Sequence, residues 1–189
     1  MKERSVDIDS GESMMTTFIV HPDREGPHPL VIFQMDAAGI REELRDMARR
    51  LATTGYYVML PNLYHRSKVV DIGDASMDEM SALLGQVTVA GVLADCVALL
   101  AEAEQDAAAD CRRIGTVGYC MSGQYAVQLA AAWPDRVKAA ASFHGVLLVT
   151  DAADSPHRML RRAEAEFYFG HAELDAHAPL AMAHALRET

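Results

Sequence analysis

Gly118-Tyr119-Cys120-Met121-Ser122-Gly123 is the segment of this sequence best suited to covalent chemistry. The apolar run 114–119 (IGTVGY) leads into it and an apolar helical stretch over 123–133 leads out, so Cys120 falls at a strand-to-helix junction. A nucleophile raised on so sharp a turn needs small residues around it, because the turn leaves no room for larger ones. Gly118 stands two residues before Cys120, Ser122 two after, and Gly123 next. The helix that follows would favour a thiolate through its dipole and would offer free N–H groups where an oxyanion forms. Met121 N–H is the natural first donor. A buried structural cysteine is the competing reading, since Cys is often buried; the junction favours the nucleophile. A dinucleotide fingerprint would need Gly-x-Gly-x-x-Gly, and a phosphate-binding loop would need a Gly-Lys-Ser/Thr end. The spacing of Gly115, Gly118 and Gly123 supplies neither.

The surrounding elements must carry that junction. Strands are expected at 15–20, at 30–35 (LVIFQM), at 56–60 (YYVML), at 114–119, at 139–143 and at 166–170 (EFYFG). Helices are expected at 40–54, stopped by Gly55, at 77–84, at 87–109, at 123–133 and from Pro179 onward. The segment 67–73 reads as loop. Alternating strands and helices predict an α/β fold with a mostly parallel sheet, in one domain spanning 1–189.

Composition narrows the function. Of 189 residues, 50% are hydrophobic, enough for one core. A net charge of −10 argues against nucleic acid, and the pairs Arg49/Arg50, Arg112/Arg113 and Arg161/Arg162 are scattered among acidic residues. The polar N-terminus lacks a secretory h-region, and no apolar run reaches the length of a membrane span. Three cysteines without a C-x-x-C pair fit a reducing compartment, so a soluble cytoplasmic protein is the expectation. Cys96 lies in an apolar helix and reads as core. Cys111 reads as a loop residue whose arginine neighbours would lower its pKa, with no role expected.

With its elbow cysteine, the chain resembles the dienelactone hydrolase family of α/β-hydrolases, whose elbow is Gly-Tyr-Cys-x-Gly-Gly. Leu60-Pro61-Asn62-Leu63-Tyr64 and Phe143-His144-Gly145 support the likeness, which runs from Leu30 to about Pro179. Ser122 departs from the family's Gly, a change expected to be tolerated with the side chain pointing away from the sheet. The resemblance implies a cysteine hydrolase of ester or lactone bonds, with a small-molecule substrate and no cofactor. It places a second oxyanion donor at Ala37 N–H. It puts Asp36, where the type enzymes have Glu, beside the resting thiol; a carboxylate there would oppose thiol ionisation. Capping of the helix near Ile40 is the simpler reading of Asp36.

The resemblance also implies that Asp175, with Pro179 four residues on, is the triad acid, with Glu173 as local rival. Arg41, Tyr64 and His144 come off loops that face the pocket in this fold, where they would bind substrate; Arg41 has the geometry for a carboxylate. An exposed helix turn is the plainer reading of Arg41. His171, Glu173, Asp175 and His177 would share one face only if extended, which is a weak metal signal, and no metal is expected. Of eight histidines only His177 and His184 follow Asp175, and neither is placed to serve Cys120. The expectation is therefore a C-terminally incomplete domain lacking the last strand, the catalytic histidine and the closing helix, and inactive or weak on its own. The alternatives are a non-catalytic homologue that binds a small carboxylate and a metal-binding module; oligomeric state is left open.

Overall fold

A computed structural model describes residues 1–69, 72, 73 and 75–189. The loop expected at 67–73 therefore falls partly outside the described residues, at Val70 and Asp71. Among the described residues seven strands form one sheet: β1 (Lys2–Asp9), β2 (Met14–His21), β3 (His28–Gln34), β4 (Tyr57–Pro61), β5 (Ala109–Tyr119), β6 (Val137–Phe143) and β7 (Glu166–Gly170). Their spatial order is β1-β2-β4-β3-β5-β6-β7. The first two pairings, β1 with β2 and β2 with β4, are antiparallel, and all the others are parallel.

The central strands are apolar on both sides because helices cover both faces there. Leu30, Ile32 and Phe33 of β3 are fully buried, as are Tyr57, Val58, Met59 and Leu60 of β4. Helix α1 (Glu42–Thr53) presents Leu44, Ala48 and Ala52 to one face, at a helical spacing of four. Gly55, at φ +112°, follows its C-cap Thr54, as the stop signal predicts. Helix α2 (Met77–Leu84) opens with a Ser76–Glu79 capping box.

The other face carries α3 (Val89–Glu104) and α4 (Gly123–Ala132), followed in the chain by the short α5 (Pro156–Met159) and then α6 (Leu180–Arg187). Helix α6 lays Leu186 against Val127 and Leu148 in a second apolar cluster. The α1 face is barer from β5 outward. A groove of about 720 Å³ runs there past Val31, Tyr119, Ala141, Phe143 and Tyr168.

Several boundaries differ from the sequence reading. Strand β1 was not expected, since its residues are mostly polar; it is an edge strand that buries only Ile8 well. Strand β5 begins at Ala109, so Cys111 is a buried strand residue and not a loop residue. Burial pushes the Cys111 thiol up, against the expected lowering by arginines.

One buried polar chain ties the β1–β2 turn to α3. His65 Nε2 lies 3.1 Å from Asp95 Oδ2 and His65 Nδ1 lies 2.6 Å from Ser13 Oγ. Arg66 forks onto the same Asp95 at 2.8 and 2.9 Å and also pairs with Glu12. Asp95 therefore sits inside an apolar helix face with its charge answered, and its hydrogen bonds from His65 and Arg66 outweigh desolvation to hold its carboxyl below the usual range.

Candidate active site

The carboxyl ends of β3, β5, β6 and β7 bring four loops together, the place where open α/β sheets bind ligands. Tyr119 ends β5, and Cys120 opens a 3₁₀ turn, Cys120–Ser122, that runs into α4. Cys120 has φ +54°, a left-handed conformation that a residue with a Cβ adopts only when its surroundings enforce it.

Those surroundings are visible. A Cβ on Gly118 would lie 2.2 Å from the Ser122 carbonyl oxygen, which is backbone and cannot move aside. A Cβ on Gly123 would lie 2.3 Å from Ser142 Oγ and 2.6 Å from Gly145 Cα. The glycine at 145 is thus as much a part of the elbow as its neighbours in sequence, and only the fold reveals it. Ser122 does not point away from the sheet as expected. It is fully buried, its Oγ accepts from Tyr119 N–H at 2.9 Å, and it lies 3.1 Å from the Gln34 carbonyl at the end of β3. Its hydroxyl pins the elbow to the neighbouring strand.

As backbone donors, Met121 N–H and Ala37 N–H lower the Cys120 thiol pKa. Burial is the larger influence, and the Asp36 and Asp175 carboxylates add to it, so the thiol titrates above its ordinary value. The opposition to ionisation expected of a carboxylate at Asp36 is present, beneath the larger influence of burial.

Asp36 does not cap α1, whose N-cap is Arg41. Its carboxylate instead receives a fork from Arg41, at 2.7 Å to Oδ1 and 2.8 Å to Oδ2, and accepts Ala38 N–H at 3.0 Å. Arg41 is consequently paired with Asp36 and not a free helix turn. Tyr64, expected to face substrate, is 1% exposed, and its hydroxyl donates to the Ala37 carbonyl at 2.8 Å. It braces Ala37 from its carbonyl side, the residue whose N–H lowers the Cys120 thiol pKa. Burial raises the Tyr64 hydroxyl well above its ordinary range, so it stays a donor.

Asp175 lies in the loop after β7. Its Oδ1 accepts His177 N–H at 2.8 Å and Ala178 N–H at 3.1 Å, which hold the carboxyl below its ordinary value. Its charge reaches Cys120. His144 is exposed at φ +41°, with its ring centroid 6.3 Å from that of Tyr119. Glu173, His177 and His184 are exposed. Among the described residues no histidine ring hydrogen-bonds Cys120 or Asp175, and no three of His, Cys, Asp and Glu converge as a metal site. No single described helix is long and apolar enough to cross a membrane.

A mostly parallel sheet in this strand order, with a strained turn after β5, defines an α/β-hydrolase fold. The sequence profile of the dienelactone hydrolase family matches residues 15–189, and the chain belongs to that family. It is 30% identical over 151 residues to a Methylorubrum extorquens protein that carries a carboxymethylenebutenolidase name, covering 80% of this chain and 52% of that one. An Escherichia coli K12 protein with the same name is 31% identical over 147 residues, covering 77% and 53%. The chain thus spans about half the length of the curated relatives it matches. Among solved structures, a Klebsiella pneumoniae protein titled as a dienelactone hydrolase superposes with a TM-score of 0.88 at 26% identity, over 99% of this chain and 79% of that one.

Proposed function

We propose that this chain carries the acylating half of a cysteine hydrolase of ester or lactone bonds. The observation that carries the reading is Cys120 held at φ +54° on the turn between β5 and α4, with Met121 N–H and Ala37 N–H favouring its ionised form. In this reading those two donors receive the oxyanion that develops when the sulfur attacks a carbonyl. Relatives with carboxymethylenebutenolidase and lactonase names support the choice of bond.

In this reading Cys120 is the nucleophile and Asp175 the acid. Tyr64 and Asp36 are positioning residues: Tyr64 holds the Ala37 peptide, and Asp36 holds its loop through Ala38 N–H and Arg41. Burial, with Asp36 adding to it, keeps the thiol protonated at rest, so attack follows loss of the proton to water or buffer base. With no histidine bonded to Cys120 or Asp175 among the described residues, deacylation lacks a positioned base. The chain is therefore expected to acylate faster than it turns over.

The test is a burst experiment with p-nitrophenyl acetate followed by peptide mass mapping. One equivalent of p-nitrophenol, a slow steady state and an acetyl group on Cys120 are expected. An unmodified Cys120 in folded protein would overturn the proposal.

A further inference from the structure

The two backbone N–H groups that favour the Cys120 thiolate belong to Ala37 and Met121, and the Tyr64 hydroxyl touches both residues. Tyr64 Oη donates to the Ala37 carbonyl at 2.8 Å and lies 3.7 Å from Met121 Sδ. A phenol has a single proton to give and the carbonyl is the stronger acceptor, so the thioether rests against the hydroxyl oxygen. Both contacts are shut away from solvent, Tyr64 being 1% exposed and Met121 5%. Burial keeps the hydroxyl protonated, and the charges of Asp36 and Cys120 add to it, which places the hydroxyl within electrostatic reach of the sulfur.

The ring rises from a base that is tied on both sides. Tyr64 N–H donates to Asn62 Oδ1 at 3.0 Å, and Asn62 N–H donates to the Thr16 carbonyl of β2 at 2.9 Å. His65, the next residue, is held by Ser13 and Asp95. The loop after β3 wraps the ring. Gly39 turns there at φ +76°, where a Cβ would stand 3.9 Å from Tyr64 Cε2, and its N–H returns to the Asp36 carbonyl at 3.2 Å. The peptide between Ala37 and Ala38 is gripped at both ends, its C=O by Tyr64 and its N–H by Asp36 Oδ1 at 3.0 Å. Because a peptide is planar, only the φ and ψ of Ala37 separate that gripped unit from the Ala37 N–H.

We infer that the Tyr64 hydroxyl sets the spacing of the two oxyanion donors, Ala37 N–H and Met121 N–H, and so serves the transition state of acylation without touching substrate. The inference rests on the proposed function of Cys120 and adds a coupling between the two halves of its oxyanion site. Tyr64 is a positioning residue for both donors, in place of the substrate contact expected from its loop. An oxyanion donor acts only as the carbonyl oxygen gains charge, so displacing it slows acylation and leaves other reactions of the thiol alone. In the covalent step the Sγ–C bond forms, the ester C–O bond breaks, the alcohol leaves as alkoxide or phenolate, and the thiol proton passes to solvent.

Two electrophiles separate this role from a merely structural one. Attack on p-nitrophenyl acetate develops an oxyanion, whereas iodoacetamide reacts by displacement at saturated carbon and develops none. Both rates would be read against pH in the full chain and expressed per thiolate, so that any change in thiol pKa cancels. Tyr64→Phe keeps the ring and drops the hydroxyl; it should slow the acylation burst about tenfold, less than outright removal of a donor, with alkylation kept within about twofold. Met121→Leu keeps the N–H and loses the sulfur; it should slow acylation about threefold, and adding it to Tyr64→Phe should cost little more, since both act through one contact. Tyr125→Phe removes another buried hydroxyl, one that donates to the Val87 carbonyl at 3.0 Å, and should leave acylation within about twofold.

Equal slowing of both reactions by Tyr64→Phe, an unchanged acylation rate, or an equal loss in Tyr125→Phe would overturn the inference while leaving Cys120 acylation standing. Fully additive losses in the double variant would overturn the coupling. Should Tyr64→Phe not fold, the same pair of rates in Met121→Leu decides the matter. Absence of any adduct on Cys120 in the unsubstituted chain would overturn the proposed function and this inference together.

Discussion

The elbow around Cys120 and the loop around Asp175 are built in opposite ways. At the elbow, close packing holds the backbone: Gly118 is pressed on Ser122, Gly123 on Gly145, and the Ser122 hydroxyl spans from Tyr119 to Gln34. The Asp175 loop is held by two backbone N–H groups from its own next residues, with Leu174 93% exposed beside it. The nucleophile is thus positioned by the whole sheet, and the acid by a local turn. A strained conformation persists only where the surroundings over-determine it, which explains why φ +54° is found at Cys120.

Substitutions should separate the two regions sharply. The largest effect is expected from Gly118→Ala, whose Cβ meets backbone at 2.2 Å. Denaturant unfolding should show a loss of about 3 kcal/mol or more, as overpacking against an unyielding neighbour implies. A loss under about 0.5 kcal/mol would mean that the elbow is looser than its contacts indicate.

Ser122→Ala comes next. It leaves Tyr119 N–H without its acceptor, and about 1–3 kcal/mol should disappear in the same measurement. Restoration by Ser122→Gly would show that space, and not the hydroxyl, is what the position requires.

The third comparison is electrostatic. Both carboxylates oppose ionisation of Cys120, Asp36 more than Asp175. Asp36→Asn should lower the thiol pKa and speed iodoacetamide alkylation at neutral pH by roughly fivefold, for an interaction on the order of 1 kcal/mol. Asp175→Asn should act in the same direction and less. In the wild type, because burial raises the thiol pKa, the labelling rate should still be climbing as pH passes 9. A plateau already reached at pH 8 would contradict the buried, carboxylate-flanked thiol.

The smallest effect is expected from Leu174→Ser, at a side chain almost wholly in solvent. Unfolding free energy should change by no more than about 0.5 kcal/mol. A larger loss would show that the Asp175 loop packs more firmly than the elbow comparison holds.

Much of this architecture is legible in the chain before folding is considered. Strands β3 and β4 announce themselves as unbroken apolar runs because both of their faces are covered. The stop of α1 is written in Gly55. Strand β1 is not legible, because an edge strand with one solvated face needs few apolar residues, and Lys2, Glu3 and Arg4 resemble a polar terminus. The early start of β5 is hidden for a related reason: Asp110, Arg112 and Arg113 extend the strand beyond the core. Ser76 and Glu79 at the start of α2 are a capping signal that could have been read directly.

The sequence alone determines that Cys120 stands on a sharp turn between a buried strand and a helix. That requirement is local: small residues at fixed offsets are what such a turn tolerates. Tertiary structure decides the rest. Only folding brings Tyr64 to the Ala37 carbonyl, forks Arg41 onto Asp36, and sets Gly145 against Gly123 across the strand ends. Only folding brings Leu147 to Leu84 and Val89 around one cavity. The ionisation of Cys120 is likewise a tertiary property, because burial and the charges of distant carboxylates outweigh the two N–H groups that favour the thiolate.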